Sequence, residues 1–253
     1  MMTQENIHNP VSIVGTGPGD PDLLTVRASR IIRSADVILY DCATAKPALS
    51  IASETAIIHE VNRQASAGKP SILELIEMYY HEGRKVVRLK VGDPMLFGGE
   101  IDECRALKAL NIPFEVVAGI TAGSSAASSY ALPISLKYQS NSVTYIIADE
   151  PGADFALFRD ASRLLRHGST IVLYMATKNL ENIFRVFVEE GVPETMAVFA
   201  VGKSGWPDES SAEGTMRDIV AQIELRQLKE PIIFFLGRHL TKEKHFPVMS
   251  ACS

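Results

Sequence analysis

At 253 residues, with 46% hydrophobic and 22% charged residues, the chain has the material for one large domain or two small ones around a packed core. A net charge of −5 and a pI near 5.7 exclude the broad basic surface of a general nucleic-acid or membrane binder, while a local Arg/Lys cluster can still receive an anion. Three cysteines, Cys42, Cys104 and Cys252, fit no zinc or redox spacing and suit a reducing cytoplasm, and no run approaches the roughly 20 apolar residues of a membrane span.

Met1–Asn9 reads as a polar leader, and Val11–Val14 as a short apolar strand that runs into Gly15-Thr-Gly-Pro-Gly-Asp-Pro-Asp. Leu24, Ala28, Ile31 and Ile32 share one face of a helix expected over Leu23–Arg33. A strand at Val37–Tyr40 ends at Asp41, a short helix is expected at Lys46–Ala52, and a third strand at Ala56–Val61. Asn62–Pro70 is polar and aperiodic. Ser71 and Glu74 form a capping box ahead of a helix closed by Gly83. The strand Val86–Val91 stops at Gly92-Asp93-Pro94, followed by a helix at Glu100–Leu110 and a strand at Phe114–Val117. The helix Thr121–Ala131 is almost wholly Ala, Ser and Gly, and Pro133–Asn141 reads as a connection between two halves. The second half alternates again: strands at Val143–Ala148, Thr170–Met175, Met196–Val201 and Ile232–Leu236, and helices at Phe155–Arg166, Leu180–Glu190 and Thr215–Leu228. The pattern predicts two α/β domains, 10–136 and 140–240, with a ligand cleft between them. Residues after about Leu240 read as a tail.

The loops carry the chemistry. Gly15 and Gly17 begin a dinucleotide fingerprint, but Asp20 holds the third glycine's place, and Asp20 and Asp22 put negative charge where a pyrophosphate would sit. Gly202-Lys203-Ser204 is no phosphate loop either, because Ala197 stands where its first glycine belongs. Strand-end loops of glycine with small or acidic residues suit a ligand with a ribose and a cationic end. S-adenosylmethionine is one such ligand among several.

Five stretches in order, Val14–Thr25, Ala35–Asp41, Val87–Pro94, Pro113–Ala122 and Leu173–Met175, resemble the tetrapyrrole methylases, and among them the branch that methylates uroporphyrinogen III at carbon. The resemblance runs from about Val11 to Gly237. It implies a cytoplasmic homodimer that uses S-adenosylmethionine to convert uroporphyrinogen III to precorrin-2, for sirohaem or cobalamin. Carried over by position, Pro18, Val91, Gly92, Asp93, Leu96, Thr121, Ala122, Met175 and Ser204 would meet the cofactor, and Asp41 falls on the family's proposed proton acceptor. Arg63 replaces a lysine proposed as proton donor; it keeps the charge and suits a carboxylate clamp. Val91, Gly99, Ser204 and the run Ser135–Gln139 also depart from the family pattern. Arg63, Lys69, Lys90 and Lys137 are candidate contacts for substrate carboxylates. No metal is implied. The departures keep two other readings open: a different precorrin or small molecule as substrate, or a cofactor-binding protein without turnover.

Overall fold

The computed structural model describes residues 9–61, 70–97, 101–149 and 155–240. Backbone contacts divide the chain into two compact units, Met1–Thr121 and Ala122–Ser253. Each is an α/β body on a five-stranded sheet, as the alternation of strand and helix patterns predicts.

In the first unit the strands β1 (Val11–Gly15), β2 (Val37–Tyr40), β3 (Ile57–Glu60), β4 (Val86–Lys90) and β5 (Phe114–Val117) are all parallel, in the order β3-β2-β4-β1-β5. Helices α1 (Val26–Arg33), α2 (Ile72–His81) and α3 (Ile101–Ala109) connect them. Successive strand side chains point to opposite faces. Val11, Ile13, Leu39 and Val86 therefore pack with Leu75, Ile76 and Leu107 of α2 and α3, while Val14, Ile38, Val87 and Leu89 pack with Ala28 and Ile32 of α1. Arg88 and Lys90 fall on the Val86 side of the central strand β4.

The second unit holds α4 (Ala122–Ser129), β6 (Val143–Ile147), α5 (Ala156–Arg166), β7 (Thr170–Tyr174), α6 (Leu180–Glu189), β8 (Ala197–Gly202), β9 (Ser210–Thr215), α7 (Ile219–Arg226) and β10 (Ile232–Leu236). The sheet order is β6-β7-β10-β8-β9, with β6 and β7 parallel and the other pairs antiparallel. Ala126 and Ala127 of α4 are buried with Phe199 and Phe235, so this small-residue helix counts with the second sheet.

Local chemistry sets most boundaries. The Ser71–Glu74 capping box forms, with the Ser71 N–H donating to the Glu74 carboxylate at 2.6 Å. Helix α1 starts later than its apolar pattern suggests: Pro21–Leu23 is a 3-10 turn, and Thr25 Oγ1 caps α1 by accepting from the Ala28 N–H at 3.1 Å. The short helix expected at Lys46–Ala52 is a 3-10 segment over Ala43–Ile51, with Pro47 inside it. The expected helix Thr215–Leu228 forms as the shorter α7, and Ser210–Thr215 just ahead of it is strand β9, which the sequence pattern does not predict. Ser-Ser-Ala-Glu-Gly-Thr has little intrinsic preference for a strand, and antiparallel pairing with β8 from end to end overrides that. Asp218 Oδ1 then accepts from the Thr215 N–H and hydroxyl, turning the chain into α7.

At the carboxyl ends of β1, β4 and β5 the backbone packs without side chains between. A Cβ on Gly15 would lie 2.7 Å from both Gly119 N and the Gly92 carbonyl oxygen, and a Cβ on Gly119 would collide with that same carbonyl. Gly119→Ala is expected to destabilise the protein by about 1–3 kcal/mol, since a backbone atom cannot swing aside as a side chain can. At this chain length that is a fall of roughly 2–12 °C in Tm. Thermal unfolding checks it, and an unchanged Tm would mean that the strand ends are not packed this closely.

Candidate functional site

Parallel strands gather their loops at the carboxyl edge. In the first unit the loops after β1 and β4 are tied by reciprocal backbone hydrogen bonds: Gly92 N–H to Gly17 O at 2.8 Å and Gly17 N–H to Gly92 O at 3.2 Å. Asp93 extends the tie. Its Oδ1 accepts from the Met95 N–H at 2.8 Å, and its Oδ2 from the Gly119 N–H at 3.1 Å. Both carboxylate oxygens thus shape the loop and staple it to the one after β5. Gly92 has a φ of 67°, and a Cβ there would meet only the Thr121 Cα, at 4.0 Å. It is glycine for its conformation and for an open outer face, in contrast to Gly15 and Gly119. Val91 beside it is exposed, Leu96 and Thr121 are half-buried, and Pro18 is buried in the first loop.

In the second unit Ser204 is buried, and its hydroxyl donates to the Ala122 carbonyl at 3.4 Å. The Gly123 N–H donates to the Tyr174 hydroxyl at 3.0 Å, and a Cβ on Gly123 would strike that hydroxyl. The start of α4, the end of β7 and the loop after β8 are thereby held together. Met175 follows Tyr174 with a φ of 53° and 57% of its surface exposed. An unbranched side chain in the left-handed region and open to solvent is a strained position of the kind that collects at ligand sites.

Asp41 ends β2, as expected, but its carboxylate is enclosed by charge. The Arg88 guanidinium, with no exposed surface, meets Asp41 Oδ2 at 2.8 Å through Nη2 and Oδ1 at 3.2 Å through Nη1. Nη1 also donates to Leu89 O at 3.1 Å, while Nε and Nη2 donate to the two Glu103 carboxylate oxygens at 3.3 and 3.2 Å. These five contacts match the five N–H groups of a guanidinium. Lys90 Nζ reaches Glu103 Oε1 at 2.9 Å. Burial works against the Arg88 cation, but Asp41 and Glu103 outweigh it and hold the side chain more firmly protonated than usual. Burial likewise works against ionising Glu103, and Arg88 and Lys90 outweigh it, so its carboxyl lies below the ordinary range.

Lys90 is therefore a buried partner of Glu103, whereas Lys137 is exposed and lies over the Tyr138 ring. Arg63, Lys69 and Gly99 lie outside the described residues. Ser135–Gln139 belongs to a turn closed by the Leu136–Ser140 bridge. Arg88, Glu103 and Tyr174 are the residues that motif reading passes over. For Arg88 and Lys90 a signal exists: two cations at i and i+2 in a strand flanked by apolar residues require buried partners. Among the described residues no group of His, Cys, Asp and Glu could hold a metal ion, and no helix is long and apolar enough to cross a membrane.

Residues 10–220 match the family model of the tetrapyrrole (corrin/porphyrin) methylases. The siroheme synthase of Psychrobacter arcticus is 33% identical over 239 residues, which cover 92% of this chain and 42% of that protein. The chain spans about half the length of the curated relatives it matches, or less. Among solved structures, the uroporphyrin-III C-methyltransferase of Thermus thermophilus complexed with S-adenosylhomocysteine is 26% identical, with a TM-score of 0.74 over 90% of this chain and 97% of that one. A cobalt precorrin-4 methyltransferase shares the fold at 24% identity, with a TM-score of 0.83 over 95% of this chain and all of that one.

The Glu103 pairs give stability a sign with pH. A carboxyl whose folded value lies below its unfolded one contributes fully above the unfolded value and loses that contribution as pH falls through the folded one. Glu103→Gln is expected to lower the unfolding free energy at pH 7 by about 1–3 kcal/mol. The gap to wild type should narrow below the ordinary carboxylate range near pH 4. Urea unfolding at the two pH values measures it, and a gap that stays constant would sink this account.

Proposed function

The chain belongs to the tetrapyrrole methylases, methyltransferases that use S-adenosylmethionine, and from that premise we propose that it methylates uroporphyrinogen III at carbon, giving precorrin-2. The reading assigns to the cofactor Pro18, Val91, Gly92, Asp93, Leu96, Thr121, Ala122, Met175 and Ser204. The observation that carries it is the strand-end platform: backbone pinned by Gly15 and Gly119, with Gly92 left open beside exposed Val91. These residues fit the cofactor. They supply apolar surface and main-chain polar groups, and none of the nine brings a cation that would repel a sulfonium. The solved Thermus thermophilus relative, complexed with S-adenosylhomocysteine, supports the choice of cofactor.

When bound, S-adenosylmethionine supplies a methyl group activated on a sulfonium, and transfer to a ring carbon leaves the ring positive until a proton departs. The chain's part is to hold the two partners in line and to oppose that charge. Asp41 is the carboxylate assigned to the second task. Substrate carboxylates would be received by cationic side chains, with Arg63 assigned as a clamp. Homodimer formation and a cytoplasmic location belong to this same reading.

Anaerobic incubation of the purified protein with uroporphyrinogen III and methyl-labelled S-adenosylmethionine tests the reading through the product mass. Two added methyls are expected. No transfer, with cofactor binding shown in parallel, would move the substrate to another tetrapyrrole or leave a binding protein without turnover. Asp93→Ala removes the staple between the loops after β4 and β5, and affinity for S-adenosylhomocysteine should fall about tenfold, the equivalent of roughly one lost hydrogen bond. Calorimetric titration reads this, and unchanged affinity would remove the loop from the cofactor site.

A further inference from the structure

We infer that Arg88 and Glu103 are positioning residues for Asp41, holding its carboxylate at the end of β2 as a fixed anion directed by a buried guanidinium. The inference rests on the reading above that Asp41 serves the reaction. Three observations carry it. Arg88 is fully buried in the central strand of its sheet, where an unpaired cation would not be tolerated. Its guanidinium takes Asp41 end-on, with Nη1 and Nη2 each on one carboxylate oxygen, a bidentate geometry that fixes the orientation of the acid. Glu103, on α3, takes the remaining edge of the guanidinium through Nε and Nη2, so Arg88 cannot rotate away from Asp41 without breaking a second pair.

Lys90 completes the group by holding Glu103 Oε1 at 2.9 Å. Other ionisable groups stand close along the chain. Tyr40, one residue before Asp41, donates its hydroxyl to Glu60 of β3 at 3.0 Å, and Glu60 pairs with Lys46 at 3.1 Å. That second set is satisfied within itself. The Lys90–Glu103 pair also joins the residue before Val91 to α3, closing the base of the loop proposed to hold the cofactor. One network thus sets the position of the acid and of the loop together.

Replacing members of the network should move Asp41 in opposite senses. Glu103→Gln removes a negative neighbour and leaves Arg88 wholly to Asp41. Arg88→Lys keeps a charge but loses the fork that engages both oxygens. The first measurement uses the full chain without ligand. The carboxyl-carbon resonance of Asp41, assigned by its loss in Asp41→Asn, is followed against pH in wild type and both variants. The titration should move to lower pH in Glu103→Gln and to higher pH in Arg88→Lys. The second measurement uses methyl transfer: each variant should lose about tenfold or more in kcat while binding S-adenosylhomocysteine with near wild-type affinity, and the acid limbs of the two pH profiles should part in the same opposite directions. A merely structural role would cost folded protein and leave those limbs in place. An Asp41 titration identical in all three proteins overturns the inference, as does an unchanged kcat in the folded variants. If wild type transfers no methyl to uroporphyrinogen III, the functional reading fails by itself, and the resonance of Asp41 still decides whether Arg88 and Glu103 govern it.

Discussion

A guanidinium with no exposed surface stands in the central strand of the first sheet, and much of that unit is arranged to make it tolerable. Removing an arginine from water costs several kcal/mol unless its donors are met. Here β2 supplies Asp41, α3 supplies Glu103, and the strand itself supplies the Leu89 carbonyl. A hydrophobic residue at position 88 would serve the core as well or better, because buried ion pairs are weak sources of stability. What the charged arrangement provides is direction: the ends of β2 and β4 and the first turns of α3 are held in one relation. That is the constraint an acid at a strand end needs if it is to keep its place while a charged ligand comes and goes.

The neighbouring loops meet a different demand by different means. Where Gly15, Gly92 and Gly119 converge, side chains are excluded and the main chain itself forms the surface. Asp93 contributes through two main-chain hydrogen bonds rather than through a carboxylate offered outward. A carboxylate in that position suits a cationic ligand indirectly, by fixing the carbonyls and amides around it. The departure at Val91 from the family's glycine is compatible with this surface, because the Val91 side chain is exposed and adds apolar area where a glycine would add none.

The fold was legible because its signals are local and repeated. Apolar runs of four to six residues, Gly or Pro at their ends and a capping box at Ser71 mark the elements, and β5, β10 and the Ser71 helix start stand where those signals put them. β9 escaped because nothing in Ser210–Thr215 resembles a strand until β8 is beside it; pairing supplies what propensity lacks. The glycine turns at the strand ends were legible for the same reason as the strands, since glycine at a turn is a local requirement. The Asp41 cluster was not, although every residue of it was in view. Asp41 and Glu103 are 62 residues apart, and no periodicity joins a strand end to a helix on another layer. The one hint, Arg88 and Lys90 alternating with Val and Leu, says that partners exist without saying which.

The enclosure of Asp41 bears on the chemistry expected of it. A carboxylate whose two oxygens both meet a guanidinium is held in one orientation. Such a group is well suited to oppose positive charge that appears and disappears during a methyl transfer, since a preoriented charge needs no reorganisation when the reaction occurs. The proton that a methylated ring must release can then pass to any base, including water or a neighbouring ring nitrogen of the substrate itself. On this view Arg63 in place of a lysine is less of an obstacle than it first looks. If the work of the charged residues is to clamp and to oppose charge, an arginine that never gives up its proton loses nothing by comparison with a lysine.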